Sequence, residues 1–164
     1  MPIKRLTPPE QIDRFVAEQV ERLKAALIYN LHVIGEQCVN HSRSLPSPSA
    51  ADFKGSNKIP PHQPNYMDWS KNLRSSIGYV IAADGEIIET SSFDAEGNGA
   101  EGAKEGKNFA LQLVQDFPQG IVLIVVAGMN YASYVSAKGY DVLDSSELLA
   151  EKLVPQMLSK LGFK

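Results

Sequence analysis

The run Ile121 to Ala127, IVLIVVA, constrains the fold of this chain more than any other stretch. Its seven residues are too few to span a bilayer, and six of them are Val, Ile or Leu, too β-branched a set to favour a helix. The run predicts a strand buried on both faces, around which the rest is organised. Gly128 breaks it, and Met129, Tyr131, Ala132, Val135 and Ala137 then recur at three- and four-residue intervals, predicting a short helix laid against the strand. Gly139 suits the left-handed cap of that helix, and Tyr140 to Leu143 reads as a further short extended piece.

Upstream, Thr7-Pro8-Pro9-Glu10 has the form of a capping box and opens a long amphipathic pattern through Ile12, Val16, Val20, Leu23, Leu31, Ile34 and Cys38. A helix of that length would measure roughly 48 Å at 1.5 Å per residue and would project toward a partner; a break near Gly35 into two packed helices is the alternative. Residues 41–66 turn to Ser, Pro, Asn and Lys and predict a long loop. Ile77 to Ala83 and Glu86 to Phe93 flank Asp84-Gly85, a hairpin signal of the primed-turn type. Residues 94–107 read as a Gly-rich acidic loop, followed by a short helix from Asn108 to Phe117 with Phe109, Leu113 and Phe117 on its apolar face. Asp144-Ser145-Ser146-Glu147 is a second capping-box form and opens a C-terminal helix that contains Pro155. The fold class is therefore α+β: a small, mainly antiparallel sheet with a central hairpin, packed against a long N-terminal helix and a C-terminal helix, in one domain over 1–164.

A net charge of -3 argues against a general nucleic-acid binder, but the charge is unevenly spread. Residues 1–74 carry ten Lys/Arg against seven Asp/Glu, whereas 75–164 carry six against twelve, so halves of opposite sign could meet in a head-to-tail assembly. Cys38 is the only cysteine, which excludes an intramolecular disulfide; beside Ile34 and Val39 it reads as a small core residue. No stretch predicts a signal peptide or a membrane span, so the expectation is a soluble protein, intracellular when made.

No set of residues assembles a catalytic centre. Gly97, Gly99 and Gly102 spell G-x-G-x-x-G, but the preceding strand is half polar, no acidic residue ends the following strand, and Glu96, Glu101 and Glu105 would repel a pyrophosphate; no cofactor is expected. His32, His41, His62 and Cys38 show no established zinc spacing, so no metal is expected. Glu86, Glu89 and Asp94 read as a solvated face of the hairpin. Arg43, Lys54, Lys58, Lys71 and Arg74 place positive charge around the 41–66 loop, where a ring of copies could face a phosphate backbone.

Two stretches carry a resemblance. WSKNLRSSIGYVI resembles the segment around a T-G-x-L-R-x-S-I pattern of the tail-completion, or head-to-tail joining, proteins of long-tailed bacteriophages and prophages, with Asn72, Leu73, Arg74, Ser76 and Ile77 in the matching places. MNYASYVSAKG resembles that family's later Y-A-x-Y-V-E-x-G pattern through Tyr131, Ala132, Tyr134 and Val135, with Gly139 one residue past the place of its Gly. Lys71 stands where the family usually has Gly, and Ser136 where it usually has Glu; Asp94 to Phe117 looks like an insertion relative to shorter members.

The resemblance implies a non-enzymatic virion subunit, made in the bacterial cytoplasm, that forms a ring of six in the neck. Its partners would be further copies of itself and other neck and tail proteins, with DNA passing through the channel. Two other readings compete: a binding module that captures a ligand through the 41–66 loop, and a small enzyme built on Glu86, Glu89 and His62.

Overall fold

The structure, a computed structural model, describes residues 8–46 and 66–163. Helix α1 (Pro9–Ser44) runs unbroken for 36 residues, with Pro9 at its first position, where a missing N–H costs nothing. The break near Gly35 does not occur. Gly35 is buried within the helix, and a Cβ there would come 2.8 Å from the Tyr79 ring, so the glycine serves a close approach and not a hinge. Residues 41–44, expected as loop, form the last turn of α1; Thr7 and residues 47–65, most of the expected loop, lie outside the described residues.

A single turn, α2 (Asn72–Ser75), leads into β1 (Ile77–Ala83). Strands β2 (Glu86–Thr90) and β3 (Ile121–Ala127) flank it, both antiparallel, in the order β2-β1-β3. The hairpin turns at Asp84 and Gly85, whose φ values of +51° and +81° are those of a primed turn. The second strand stops at Thr90, short of Phe93, which adopts φ +49° and packs its ring over Gly78.

The organising strand is thus β1, and the expectation that 121–127 is the buried centre is corrected. Ile77 through Ala82 are all buried, whereas β3 is an edge strand in which only Val126 is fully buried. The cause is that hydropathy reports the faces of a strand and not its edges. Ile121, Leu123 and Val125 face the layer of α1 and α5 (Asp144–Lys160), while Val122, Ile124 and Val126 face α3 (Ala100–Leu113). A strand with apolar neighbours on both faces reads as continuously apolar even when, among the described residues, one row of its backbone groups has no strand beside it.

Helix α3 overturns two expectations. It begins at Ala100, inside the segment read as a Gly-rich loop, and ends at Leu113 in a short 3-10 turn (Val114–Asp116). Its packed face is not the expected Phe109, Leu113 and Phe117, of which the two Phe are exposed, but Gly102, Gly106, Ala110 and Val114. Mid-helix glycine costs about 1 kcal/mol relative to Ala, which hides such a helix from propensity. What offsets the cost is contact: a Cβ on Gly102 would lie 1.9 Å from the Asn72 carbonyl oxygen, and one on Gly106 would lie 2.3 Å from that of Ser76.

The last elements are α4 (Ala132–Ala137), ended by Gly139 at φ +87°, and α5, inside which Pro155 sits. Tyr140 to Leu143 forms no strand; it links the two helices and buries Val142 against Leu73 and Ala132. The capping box expected at Asp144 is absent, because Asp144 is already helical. Asp141 accepts the Ser145 N–H instead, at 3.1 Å. Ser146 Oγ then donates to the Cys38 carbonyl at 2.8 Å and accepts from Ser42 Oγ at 2.5 Å, a buried polar contact that fixes α5 against α1. Burial raises the Cys38 thiol above its ordinary pKa, which keeps it protonated, as befits a core residue.

Gly106→Ala should lower the unfolding free energy by about 2–3 kcal/mol in urea titration, despite the higher helix propensity of Ala, because backbone on both sides would have to move. The exposed Lys104→Ala in the same helix should change it by less than about 0.5 kcal/mol.

Candidate assembly surface

The two stretches that carry the family resemblance come together. Leu73 of α2 and Ala132 of α4 share one buried cluster with Tyr66 and Val142, and the Gly128 N–H donates to the Ser76 carbonyl at 3.1 Å. Gly128 also lies against Gly106, whose Cα a Cβ on Gly128 would meet at 2.4 Å. The junction therefore joins α2, α3 and the start of α4 backbone to backbone.

Each first-stretch residue has a structural task there. Asn72 Oδ1 accepts the Gly102 N–H at 3.1 Å, which satisfies one of the free donors at the start of α3. Leu73 and Ile77 are buried core. The Arg74 guanidinium, itself buried, donates to the carbonyls of Arg43, at 3.3 Å, and of Leu45, closing the C-terminus of α1. Its backbone N–H donates to Asp68 Oδ2 at 2.8 Å, and its charge lies 5.7 Å from the centre of the Tyr66 ring. Ser76 Oγ donates to the Leu73 carbonyl at 2.7 Å and its own carbonyl receives Gly128.

The two departures from the family pattern are both legible in the geometry. Lys71 has φ +62° and ψ +7°, left-handed backbone that suits glycine, so the turn is kept with the wrong residue for it. Ser136 Oγ lies 3.4 Å from both carboxylate oxygens of Asp144, so a hydroxyl stands where an acid is usual.

The second stretch supplies exposed aromatics. Tyr134 is 64% exposed, with Lys138 Nζ 5.1 Å from its ring centre, and Tyr131 stands half out of the surface. Burial, then the Asp68 and Glu101 charges, raise the Tyr131 hydroxyl pKa against an opposing hydrogen bond to Ser70. Beside Ser70, Trp69 is the most exposed large apolar side chain among the described residues, at 81%. Val135 is half-buried and Ala132 buried. Aromatics with one apolar face in water are the side chains that anchor protein interfaces, and here they stand on a rigid junction.

The basic residues are less free than their sequence suggests. The Arg43 guanidinium donates to the Asp94 carbonyl, and Lys71 pairs with Glu96 at 3.4 Å; Lys54 and Lys58 lie outside the described residues. His32 Nδ1 approaches Glu89 Oε1 at 2.9 Å and the Tyr79 hydroxyl at 2.7 Å, a contact between α1 and the hairpin that spacing alone did not reveal. Glu86 is exposed and takes no part in that contact, and His62 lies outside the described residues. Among the described residues no group of three or more His, Cys, Asp or Glu could hold a metal ion, and no helix is long and apolar enough to cross a membrane.

Lys71→Gly should stabilise the fold by about 1 kcal/mol, since removing the Cβ from a left-handed residue outweighs an exposed ion pair and the added freedom of the unfolded chain; Lys71→Ala should not. A second expectation concerns pH. Burial, with the Asp68 charge adding and Arg74 opposing, leaves the Tyr66 hydroxyl pushed up to about 12. A folded pKa above the unfolded one means stability is full below pH 10 and is lost as pH rises through 12, by roughly 2–3 kcal/mol for this residue. Tyr66→Phe should shrink that alkaline loss in unfolding titrations without abolishing it, because Tyr79 and Tyr131 shift the same way.

Compared with family models, with curated proteins and with solved structures, the chain gives no match.

Proposed function

We propose that this chain is a structural virion subunit of a tailed phage or prophage, a tail-completion or head–tail joining protein that assembles into a ring in the neck and carries out no catalysis. The observation that carries the reading is the junction itself. The two separate stretches that resemble the family's patterns form one packed unit, and the position where that family usually has Gly holds left-handed backbone. The rigid unit presents Trp69, Tyr131 and Tyr134 outward, which suits contact with a neighbouring subunit or another neck protein.

Light scattering over a concentration series, with negative-stain imaging of the large species, should find closed rings of one size. Tagged protein expressed with tail proteins should retain them, and Trp69→Ala with Tyr134→Ala should reduce that retention at least about tenfold while leaving thermal unfolding in place, both side chains being exposed in the free subunit. A protein that neither forms rings nor retains any neck or tail protein would sink the reading.

A further inference from the structure

The phase of the pairing between β1 and β3 shows which backbone groups of β3 are free. The Asp84 N–H donates to the Gly120 carbonyl and the Gly128 N–H to that of Ser76, so in the register between them the bonded partners of β1 are Val122, Ile124 and Val126. The N–H and C=O groups of Ile121, Leu123 and Val125 point the other way, and no described residue bonds to them. All three residues are only half-buried. The two edges of the sheet differ in this respect. β2 carries Glu86 and Glu89 and pairs through a register irregularity at Ile81 and Ala82, features that keep an edge from accepting another strand. The seven residues of β3 include no charge and no proline.

Apolar clefts lie against both faces of this open edge. On one face a cleft of about 510 Å³ runs between Leu123 and Val125 of β3 and Ala150 and Val154 of α5. On the other, a cleft of about 250 Å³ lies between Val126 of β3 and Phe109 and Leu113 of α3, which gives the exposed Phe109 ring a place in a binding surface. The one charged residue lining each cleft is an acid, Glu147 in the first and Asp144 in the second. Both carboxylates are exposed, and neither pairs with a cation among the described residues.

We infer that the open edge of β3 takes up an extended peptide segment of a partner protein as a fourth strand, with apolar side chains at alternate positions and Lys or Arg at its ends. The free groups of Leu123 and Val125 match another extended backbone; a helix has already used its own N–H and C=O groups, and a lipid chain has none. Successive side chains of an added strand point to opposite faces, so alternate residues enter the two clefts, the larger ones beside α5. The unpaired acids on either side set the sign of the charges that flank the apolar stretch. A single subunit suffices for this contact, so it stands or falls apart from the ring reading.

The probe is the capped peptide Lys-Val-Thr-Val-Thr-Val-Lys, added to the isotope-labelled full chain and read by amide hydrogen exchange. In the free protein the amide hydrogens of Leu123 and Val125 should exchange quickly, and those of Val122 and Ile124, bonded to β1, slowly. Saturating peptide should slow the first pair at least about tenfold and leave the second unchanged. Proline in place of the central Val removes a strand donor and should weaken binding at least about tenfold. Glu147→Lys, at an exposed site, should leave the fold in place, weaken the Lys-flanked peptide about fivefold and favour a Glu-flanked counterpart. Four results would overturn the inference: Leu123 and Val125 amides already protected in the dilute free chain, a peptide that protects neither, a proline peptide that binds as well, or a Glu147→Lys variant with unchanged preference. Protection that grows with protein concentration and needs no peptide would also overturn it, by giving the edge to a second copy.

Discussion

The fold depends on the guanidinium of Arg74 at the end of α1. A helix leaves its last four carbonyls without partners inside the helix, and at the half-buried end of α1 a side chain meets some of them. Arg74 meets two of them, on Arg43 and Leu45, with a charge that cannot be neutralised and a fork that suits two acceptors. The charge is almost wholly removed from water, so it is held by the carbonyl ends of the helix, the Tyr66 ring and the nearby Asp68. Three residues further on, Ile77 starts β1. One side chain thereby ties the long helix to the entry of the central strand, and its loss would leave half-buried carbonyls without that donor.

The same segment sets the position of α3 by a different means. Asn72 caps that helix from outside, and the glycines at 102 and 106 allow its backbone to rest on the backbone of Asn72 and Ser76, while Gly99 makes room for the Ser75 side chain and the Lys71 carbonyl. The G-x-G-x-x-G spelling at 97–102 is a by-product of this contact. Glycine spaced for helix-on-backbone packing and glycine spaced for a phosphate look alike in a string of letters, because both answer the same demand for close approach.

What the sequence showed and what it hid follow from the range of each signal. The long helix, the hairpin at Asp84-Gly85, the strand at 121–127 and the α+β class rest on periodicity and turn chemistry, which are local. Edge or centre is not local: β3 reads as a buried strand because both its faces are covered, and only the strand order β2-β1-β3 reveals its open side. Helix α3 was hidden because its packing face is glycine and alanine, invisible to any hydrophobic pattern. The start of α5 was misassigned because Asp141, not Asp144, accepts from the first turn, a choice between two nearby acids that depends on how Gly139 delivers the chain. Within the candidate surface, the meeting of the 72–77 and 131–139 stretches could not be seen from spacing, and the left-handed backbone at Lys71 is not a conformation that its residue type suggests.

An exposed helical arm that is already formed in the single subunit has consequences for the energetics of any contact it makes. A segment that orders only on binding loses conformational freedom at that moment, and the loss is subtracted from the affinity. The N-terminal half of α1 is already helical in the single subunit, continuous with a half whose stripe is anchored by Leu31, Ile34 and Cys38, so its backbone has little freedom left to lose. Buried area there would turn into affinity with a smaller deduction than a loop of the same length would carry. The cost falls elsewhere: apolar surface stays in water until a partner arrives, and α1 is built far longer than its own core needs.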